Sequence, residues 1–418
     1  MPYESYIYRF ANYHMMIEEV LRKFNPWWHK EYVSPGIPRN SYHLEVEKLF
    51  RRERILILFG LRRVGKTTIM KQLIAKYLKE MNHDRIFFAG IDHPELERTP
   101  LQELLREFRR INGLKSNQEV ILFLDEVQSR SGFEKELKGI YDLEKSVKII
   151  ASGSSSLVIK QKSSHLIGRY RSIKVKPLSF LEYLAFKGEK LDRSEPQLME
   201  KMADHYLLEG GMPEYVLSSD PGYITELVTN IIYRDICTSY GVKDPKLLKD
   251  LYFLLMQRVG KRISYSKLAR LLDIGDDAIK RYIGYFEEAF LLHVIEQEGT
   301  PNERKYGQKK CYSPDNGICS VISGSSASGP LAENCVYLNL REDCEPRYYN
   351  KKGIEVDFLC KKRAYEVKYK AKLAENDLIG FSRFRKKGLN EKWMITRSER
   401  SKKGKIKKVP FWEFLLER

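Results

Sequence analysis

The chain's 418 residues are enough for two to four domains at roughly 100–200 residues apiece, and 42% hydrophobic against 31% charged residues exclude a wholly disordered chain. Its 74 Lys and Arg outweigh 56 Asp and Glu by a net +18, which favours a polyanionic partner such as nucleic acid or a membrane surface. No run approaches the roughly 18 uncharged apolar residues of a membrane span, and the start carries Glu4 and no apolar run, so a cytoplasmic chain with no membrane partner is expected.

In chain order, residues 1–45 read as an appended helical arm. Tyr6, Phe10, Tyr13, Met16, Ile17, Val20 and Leu21 recur near helical spacing, and Asn25-Pro26-Trp27-Trp28 ends that helix. The two tryptophans are expected to dock the arm on the next domain; a stacking platform for nucleic-acid bases is the alternative. Over 46–180, short apolar runs (Ile55–Phe59, Ile86–Ala89, Val120–Leu124, Val147–Ala151 and Ser172–Val175) alternate with amphipathic helices, which predicts a parallel sheet covered on both faces. Residues 181–243 read as a helical lid, punctuated by Gly210-Gly211-Met212-Pro213. Residues 244–298 form a compact helical unit ending in the β-like run Leu291–Ile295. The Gly-, Ser- and Pro-rich stretch 299–332 reads as a linker, and 333–418 returns to α/β patterning. Six cysteines without a C-x2-C pair predict free thiols, with room for one disulfide among the five that follow residue 310.

The chemistry is densest near the first strand. Gly60-Leu61-Arg62-Arg63-Val64-Gly65-Lys66-Thr67 fits G-x4-G-K-[ST], follows an apolar strand and opens a helix with Thr68. Gly60 and Gly65 let backbone amides wrap phosphates, Lys66 reaches the β- and γ-phosphates, and Thr67 ligates Mg²⁺ at a helix N-terminus. Ile121-Leu122-Phe123-Leu124-Asp125-Glu126 brings two carboxylates to a strand tip, where open α/β sheets bind ligands. Asp125 is expected to hold Mg²⁺ and Glu126 to polarise the attacking water, so ATP hydrolysis is expected rather than binding alone. Ser152, after Ile149-Ile150-Ala151, is placed to sense the γ-phosphate. Arg169 is a candidate for neutralising transition-state charge, in its own subunit or in a neighbouring one.

These segments, with Asp125-Glu126-Val127-Gln128, Ser152-Gly153-Ser154-Ser155, Gly168-Arg169 and Pro177-Leu178-Ser179-Phe180, resemble archaeal AAA+ ATPases of uncharacterised role. Gly210-Gly211-Met212-Pro213-Glu214-Tyr215, Tyr233-Arg234-Asp235-Ile236, Gly353-Ile354-Glu355-Val356-Asp357-Phe358 and Tyr365-Glu366-Val367-Lys368 extend the resemblance over about 45–375. It implies that Gly168-Arg169 and Tyr233-Arg234-Asp235 are recurring signatures, which strengthens the case for Arg169.

Further along, Ser264 is a plausible N-cap for a helix carrying Leu268, Ala269, Leu271 and Leu272. A turn at Asp273-Ile274-Gly275-Asp276 leads to a second helix with Ile279, Ile283 and Phe286 facing inward. Helix, short turn, helix and strand predict a winged helix-turn-helix presenting Lys280, Arg281 and Tyr282 to DNA, although Asp276 and Asp277 oppose phosphate approach. The D-x8-E-x-K pattern of Asp357, Glu366 and Lys368 on two adjacent strands resembles that of PD-(D/E)xK nucleases. Asp357 and Glu366 could bind a second Mg²⁺ or Mn²⁺, Lys368 could orient a hydroxide, and Glu333 on the preceding helix fits an accessory acidic position. Residues 361–418 hold 19 Lys/Arg against 7 Asp/Glu, including Lys402-Lys403-Gly404-Lys405 and Lys407-Lys408 near Trp393 and Trp412, as a phosphate-tracking face would.

The expected fold is α/β: a P-loop AAA+ ATPase core with helical lid, a winged helix, and a C-terminal restriction-endonuclease-like α/β domain. The expected function is Mg-dependent ATP hydrolysis coupled to DNA binding and metal-dependent cleavage, in a homo-oligomer. The alternative is a nucleotide-controlled switch or assembly ATPase whose C-terminal domain is an inactive docking module.

Overall fold

The structure, a computed structural model, describes residues 2–153, 166, 168–351, 353–403 and 406–417. Ser154, Ser155, Gly404, Lys405 and the side chains of Tyr6, Phe10, Lys402 and Lys403 lie outside that description. The chain divides into two compact units, Met1–Lys176 and Pro177–Arg418.

In the first unit, five apolar runs become five parallel strands: β1 (Ile55–Phe59), β2 (Ile86–Gly90), β3 (Val120–Asp125), β4 (Val147–Gly153) and β5 (Arg171–Lys174). Their order is β2-β3-β4-β1-β5. Strands β1, β2 and β3 are buried on both faces, which is why they read as unbroken apolar runs, whereas the edge strand β5 is partly exposed. Among the described residues the strands are covered by α1 (Pro2–Phe24), α2 (Asn40–Phe50), α3 (Lys66–Tyr77), α4 (Pro94–Glu97), α5 (Leu101–Ile111) and α6 (Phe133–Leu143).

The arm closes the free edge of β2. Asn25 donates to Phe88 O at 2.8 Å and accepts from Phe88 N at 2.6 Å, so one side chain takes the place of a paired strand. Trp27 and Trp28 are buried, and both indole N–H groups donate to Ile86 O, at 3.1 and 3.0 Å. Trp28 also stacks on Phe108 of α5. The tryptophans are docking residues, and their rings are not available to stack on bases.

The second unit begins with helices: α7 (Phe180–Phe186), α8 (Pro196–Glu209), α9 (Pro213–Ser218) and α10 (Pro221–Asn230). A π-helix follows over Ile231–Cys237 and carries Tyr233-Arg234-Asp235. Then come α11 (Pro245–Met256), β6 (Arg262–Ile263), α12 (Tyr265–Leu272), α13 (Asp276–Glu288), β7 (His293–Ile295), α14 (Pro301–Tyr306) and β8 (Lys309–Tyr312). Strands β6, β8 and β7 form a small antiparallel sheet. Ser264 caps α12 by accepting from Lys267 N, and Asp273 ends it in the left-handed region.

After α15 (Asn316–Ser323) and α16 (Ser328–Leu340), the chain builds a mixed six-stranded sheet. Its strands are β9 (Arg347–Lys351), β10 (Ile354–Cys360), β11 (Arg363–Lys368), β12 (Glu391–Thr396), β13 (Ser401–Lys403) and β14 (Ile406–Pro410), ordered β13-β14-β12-β11-β10-β9. Helix α17 (Glu375–Arg383) packs on β10, and α18 (Phe411–Leu416) packs on α8 and α16.

Two expectations fail here. The stretch 299–332 is not a linker, because it holds α14, β8 and α15, and residues 310–319 are buried throughout. Its Gly, Ser and Asn serve a buried polar latch. Gly211 N donates to Asp315 Oδ2 at 2.6 Å, Ser313 N donates to Asn334 Oδ1 at 2.8 Å, and Asn316 Nδ2 donates to Leu207 O at 2.8 Å and Leu331 O at 2.9 Å. Each buried polar atom in this set finds a partner, as burial requires. The latch also explains Gly210-Gly211. Gly210 has a φ of +68°, and a Cβ there would meet Asp315 Oδ1 at 2.4 Å; one on Gly211 would meet Leu178 O at 2.3 Å. The second is that the thiols are not all free; the one disulfide left open among the five cysteines after residue 310 forms. Cys344 and Cys360 form a disulfide, while Cys237, Cys311, Cys319 and Cys335 are free.

Candidate functional site

The loop between β1 and α3 needs two glycines for different reasons. Gly60 approaches Val175 so closely that a Cβ would meet Val175 O at 2.1 Å, whereas Gly65 has open space and is required by its φ of +93°. Arg63 also takes the left-handed region, at φ 63°. Lys66 is buried and donates to Gly60 O at 3.2 Å and Leu61 O at 3.0 Å, folding its ammonium over the loop. Arg39, from the segment read as a mere arm, is buried beneath: its Nη1 donates to Val64 O and Lys176 O, each at 2.9 Å. Gln72 on α3 ties down the same segment by donating to Pro35 O and Ile37 O.

The sheet order sets the rest. Strand β4 lies between β1 and β3, and Leu124 pairs in register with Ala151, so Asp125 and Ser152 reach the tip side by side. Thr67 Oγ1 donates to Asp125 Oδ2 at 2.6 Å, joining the loop to β3. Ser152 donates to Asp125 Oδ1 and accepts from Glu126 N at 3.1 Å. Burial pushes the Asp125 carboxyl above its ordinary range, and the hydroxyls of Ser152 and Thr67 pull it part of the way back. A hydroxyl and a carboxylate converging at a helix N-terminus form the hard-oxygen set that Mg²⁺ takes, so Thr67 and Asp125 fit the expected ion.

Ser152 departs from its expected role. It is fully buried and its one donor proton is committed to Asp125, so it braces the carboxylate rather than reading a phosphate. Glu126 sits in the left-handed region at φ 52°, and Gln128 Nε2 donates to its Oε2. Gln128 therefore aims Glu126, and Gly153 leaves it room, since a Cβ there would meet Gln128 Oε1 at 3.0 Å. Arg169 is not at this edge. It lies before Arg171, which opens β5 opposite Leu56, at the end of the sheet away from the loop. Its Nε donates to Asp142 at 3.3 Å. The geometry sets aside a role for Arg169 in its own subunit's site.

A second constellation lies in the second unit. Val367 N donates to Asp357 Oδ2 at 2.8 Å, which holds Asp357 against β11 beside Glu366. Lys368 Nζ donates to Glu366 Oε1 at 2.7 Å. Helix α16 brings Glu333, which accepts from Tyr312 Oη at 2.7 Å and from Lys310 Nζ at 3.2 Å. Glu333, Asp357, Glu366 and Lys368 are thus assembled in one region. Burial and then the neighbouring Asp357 push Glu333 up to about 7 and Glu366 up to about 8. Yet among the described residues no group of three acidic, His or Cys side chains is spaced to hold a metal ion. Two of the expected ligands, Glu333 and Asp357, together with Glu355, instead surround the ammonium of Lys310. Burial opposes the charge on Lys310, but these carboxylates outweigh it and hold the amine firmly protonated. In the sequence Lys310 was one basic residue in a presumed linker; nothing in its surroundings marked it.

On α13, Lys280 and Arg281 are exposed, and Lys280 pairs with Asp277 at 3.0 Å. No helix among the described residues is long and apolar enough to cross a membrane.

Residues 52–184 match the AAA domain family, and residues 200–329 match a domain of unknown function (DUF8612). The chain is 28% identical over 324 residues to an uncharacterized protein of Methanocaldococcus jannaschii, spanning 73% of this chain and 72% of that one. It is 26% identical over 352 residues to an uncharacterized protein of Haemophilus influenzae, spanning 80% and 86%. Among solved structures, the Walker-type ATPase of Pyrococcus abyssi aligns with a TM-score of 0.42 at 15% identity, over 68% of this chain and 95% of that one. The ORC2 protein of Aeropyrum pernix aligns with a TM-score of 0.40 at 11% identity, over 71% and 96%. The AAA match and the parallel sheet agree: the first unit is a P-loop ATPase-type α/β core.

Proposed function

We propose that the first unit binds and hydrolyses ATP with Mg²⁺ and that the second unit binds DNA and carries a metal-dependent nuclease-like site. The observation that carries the ATPase reading is the hydrogen bond from Thr67 to Asp125 with Ser152 bracing the same carboxylate. It joins the loop and the acidic strand tip in one oxygen-lined site. When ATP binds, Lys66 exchanges its two carbonyl partners for the β- and γ-phosphates, and the backbone from Gly60 to Gly65 wraps them. Glu126, aimed by Gln128, polarises the attacking water. Thr67 and Asp125 would supply the protein oxygens for Mg²⁺, which would neutralise phosphate charge there. Arg169 serves the site of a neighbouring subunit in a homo-oligomer, which suits its place at the far end of the sheet. Calorimetric titration of Mg-ATP tests the site: wild type should bind, and Lys66→Ala should bind at least about tenfold more weakly. Equal affinity would overturn the assignment.

In the second unit we read 181–243 as a lid, 244–298 as a winged helix with α13 facing DNA, and the sheet with Glu333, Asp357, Glu366 and Lys368 as a restriction-endonuclease-like domain. The grouping of those four residues supports this reading. One observation favours the alternative, a nucleotide-controlled switch with an inactive docking module: Lys310 neutralises the carboxylates. A panel of labelled single-strand, duplex, forked and four-way DNA with Mg²⁺ or Mn²⁺ separates the two. Cleavage lost in Asp357→Ala with ATP binding intact supports the nuclease. Binding of DNA without cleavage supports the switch.

A further inference from the structure

The turn between α11 and β6 gathers positive charge around a cavity. Arg258, Lys261, Arg262 and Lys267 line a space of about 590 Å³ together with Lys310, and Glu355 is the one acid of that lining among the described residues. Lys310 is buried and pairs with Glu333, Glu355 and Asp357, so its charge is already answered. The other four cations have no ion-pair partner among the described residues, and Lys261, Arg262 and Lys267 are exposed. Arg262 stands opposite Lys310 across the β6–β8 pair, where like charges repel. The turn nevertheless fixes them in place. Lys261 N donates to Arg258 O at 2.9 Å, and Gly260 N donates to Cys311 O at 3.0 Å. Gly260 takes a φ of +76°, and a Cβ there would stand 3.0 Å from Glu333 Oε2. Ser264 then caps α12 by accepting from Lys267 N, which sets Lys267 in the first turn of that helix. Four unanswered cations on one concave wall attract a ligand with several negative charges, since one carboxylate would leave most of them unpaired.

We propose that this cavity holds the sugar-phosphate backbone of one nucleic-acid strand, with Arg258, Lys261, Arg262 and Lys267 taking its phosphates. The proposal rests on the reading of the second unit as DNA-binding and adds where the phosphates are held. Helix α13 is poorly suited to hold them, because its first turn carries Asp276 and Asp277 and its Lys280 already pairs with Asp277. In the cavity the two guanidinium groups can grip phosphate oxygens in pairs, while the two ammonium groups act as point charges. Contacts of this kind read no base edge, so binding is independent of sequence and falls with salt. A recess of this size admits one backbone, so a single strand enters and the paired strand of a duplex obstructs entry.

The test is binding of a short labelled oligothymidylate to the full chain without ATP, read by fluorescence anisotropy over a series of salt concentrations. Wild type should bind, and log affinity should fall against log salt by about 0.7 for each phosphate neutralised. Arg262→Ala with Lys267→Ala should weaken binding at least about tenfold at low salt and flatten that slope by about 1.4. Lys267→Arg, which keeps the charge, should bind as wild type does, and Lys280→Ala with Arg281→Ala should change neither affinity nor slope. Equal binding of an oligoribonucleotide supports a backbone ligand. Loss of binding in the α13 pair but not in the cavity pair would overturn the proposal and leave the DNA reading standing. A chain that binds neither strand nor duplex overturns both, a result that needs no variant to fold. Tripolyphosphate bound through Arg262 and Lys267 with no strand bound would replace the proposal with a free polyphosphate site, and duplex bound as tightly as single strand would overturn the choice of one backbone.

Discussion

At the scale of single residues, the two sites differ in how their carboxylates are satisfied. Asp125 is served by two hydroxyls, so removing one hydroxyl should weaken catalysis more than structure. Ser152→Ala should lower ATP turnover several-fold, with a smaller change in apparent ATP affinity, in steady-state kinetics. Glu366 is different, because burial and then Asp357 raise it from 4.5 to about 8. A carboxyl raised on folding binds more protons in the folded chain than in the unfolded one. Its stabilising contribution is complete below the unfolded value and is lost as pH rises through the folded one. Stability therefore falls as pH rises between those two values. Thermal unfolding of Glu366→Gln should show a shallower fall in midpoint over that range, and an unchanged fall would place the titration elsewhere. Much of this chemistry was legible in the sequence because a phosphate loop and a strand-tip carboxylate pair are local patterns. The roles of Ser152, Gln128 and Lys310 were not legible. Each depends on which strands become neighbours, and residue types alone do not carry that.

At the scale of elements, the arm and the segment after β7 gave opposite lessons. The arm's tryptophans were readable as docking residues because buried indoles need apolar surface and one acceptor, and Ile86 O serves both. Trp27→Ala should cost about 3–5 kcal/mol in denaturant unfolding, as large aromatic truncations do. The stretch 299–332 misled because Gly, Ser and Asn mark loops by composition, yet here they satisfy a buried latch whose partners lie about 100 residues earlier, as in the Gly211–Asp315 bond. Gly211→Ala forces a Cβ against Leu178 O at 2.3 Å and should be strongly destabilising, seen as a large loss of thermal midpoint. The Cys344–Cys360 disulfide closes a loop of 16 residues, for which chain entropy gives about 3 kcal/mol. Reduction should lower unfolding stability by about that much, and an unchanged midpoint would show the bridge to be structurally idle.

At the scale of the whole molecule, a P-loop ATPase-type core is followed by a unit in which helices, a small antiparallel sheet and a mixed sheet share one compact body. The first unit was readable strand by strand because a parallel sheet writes its burial into unbroken apolar runs. In the second, long-range contacts such as Gly211–Asp315 join segments that local periodicity sets apart, so composition misplaced 299–332. ATP turnover by the first unit is read from phosphate release by the full chain with Mg²⁺. Wild type should release phosphate steadily, Glu126→Gln should bind ATP yet release phosphate at least about 100-fold more slowly, and Lys66→Ala should lose both. Turnover by Lys66→Ala or Glu126→Gln at the wild-type rate would contradict the account.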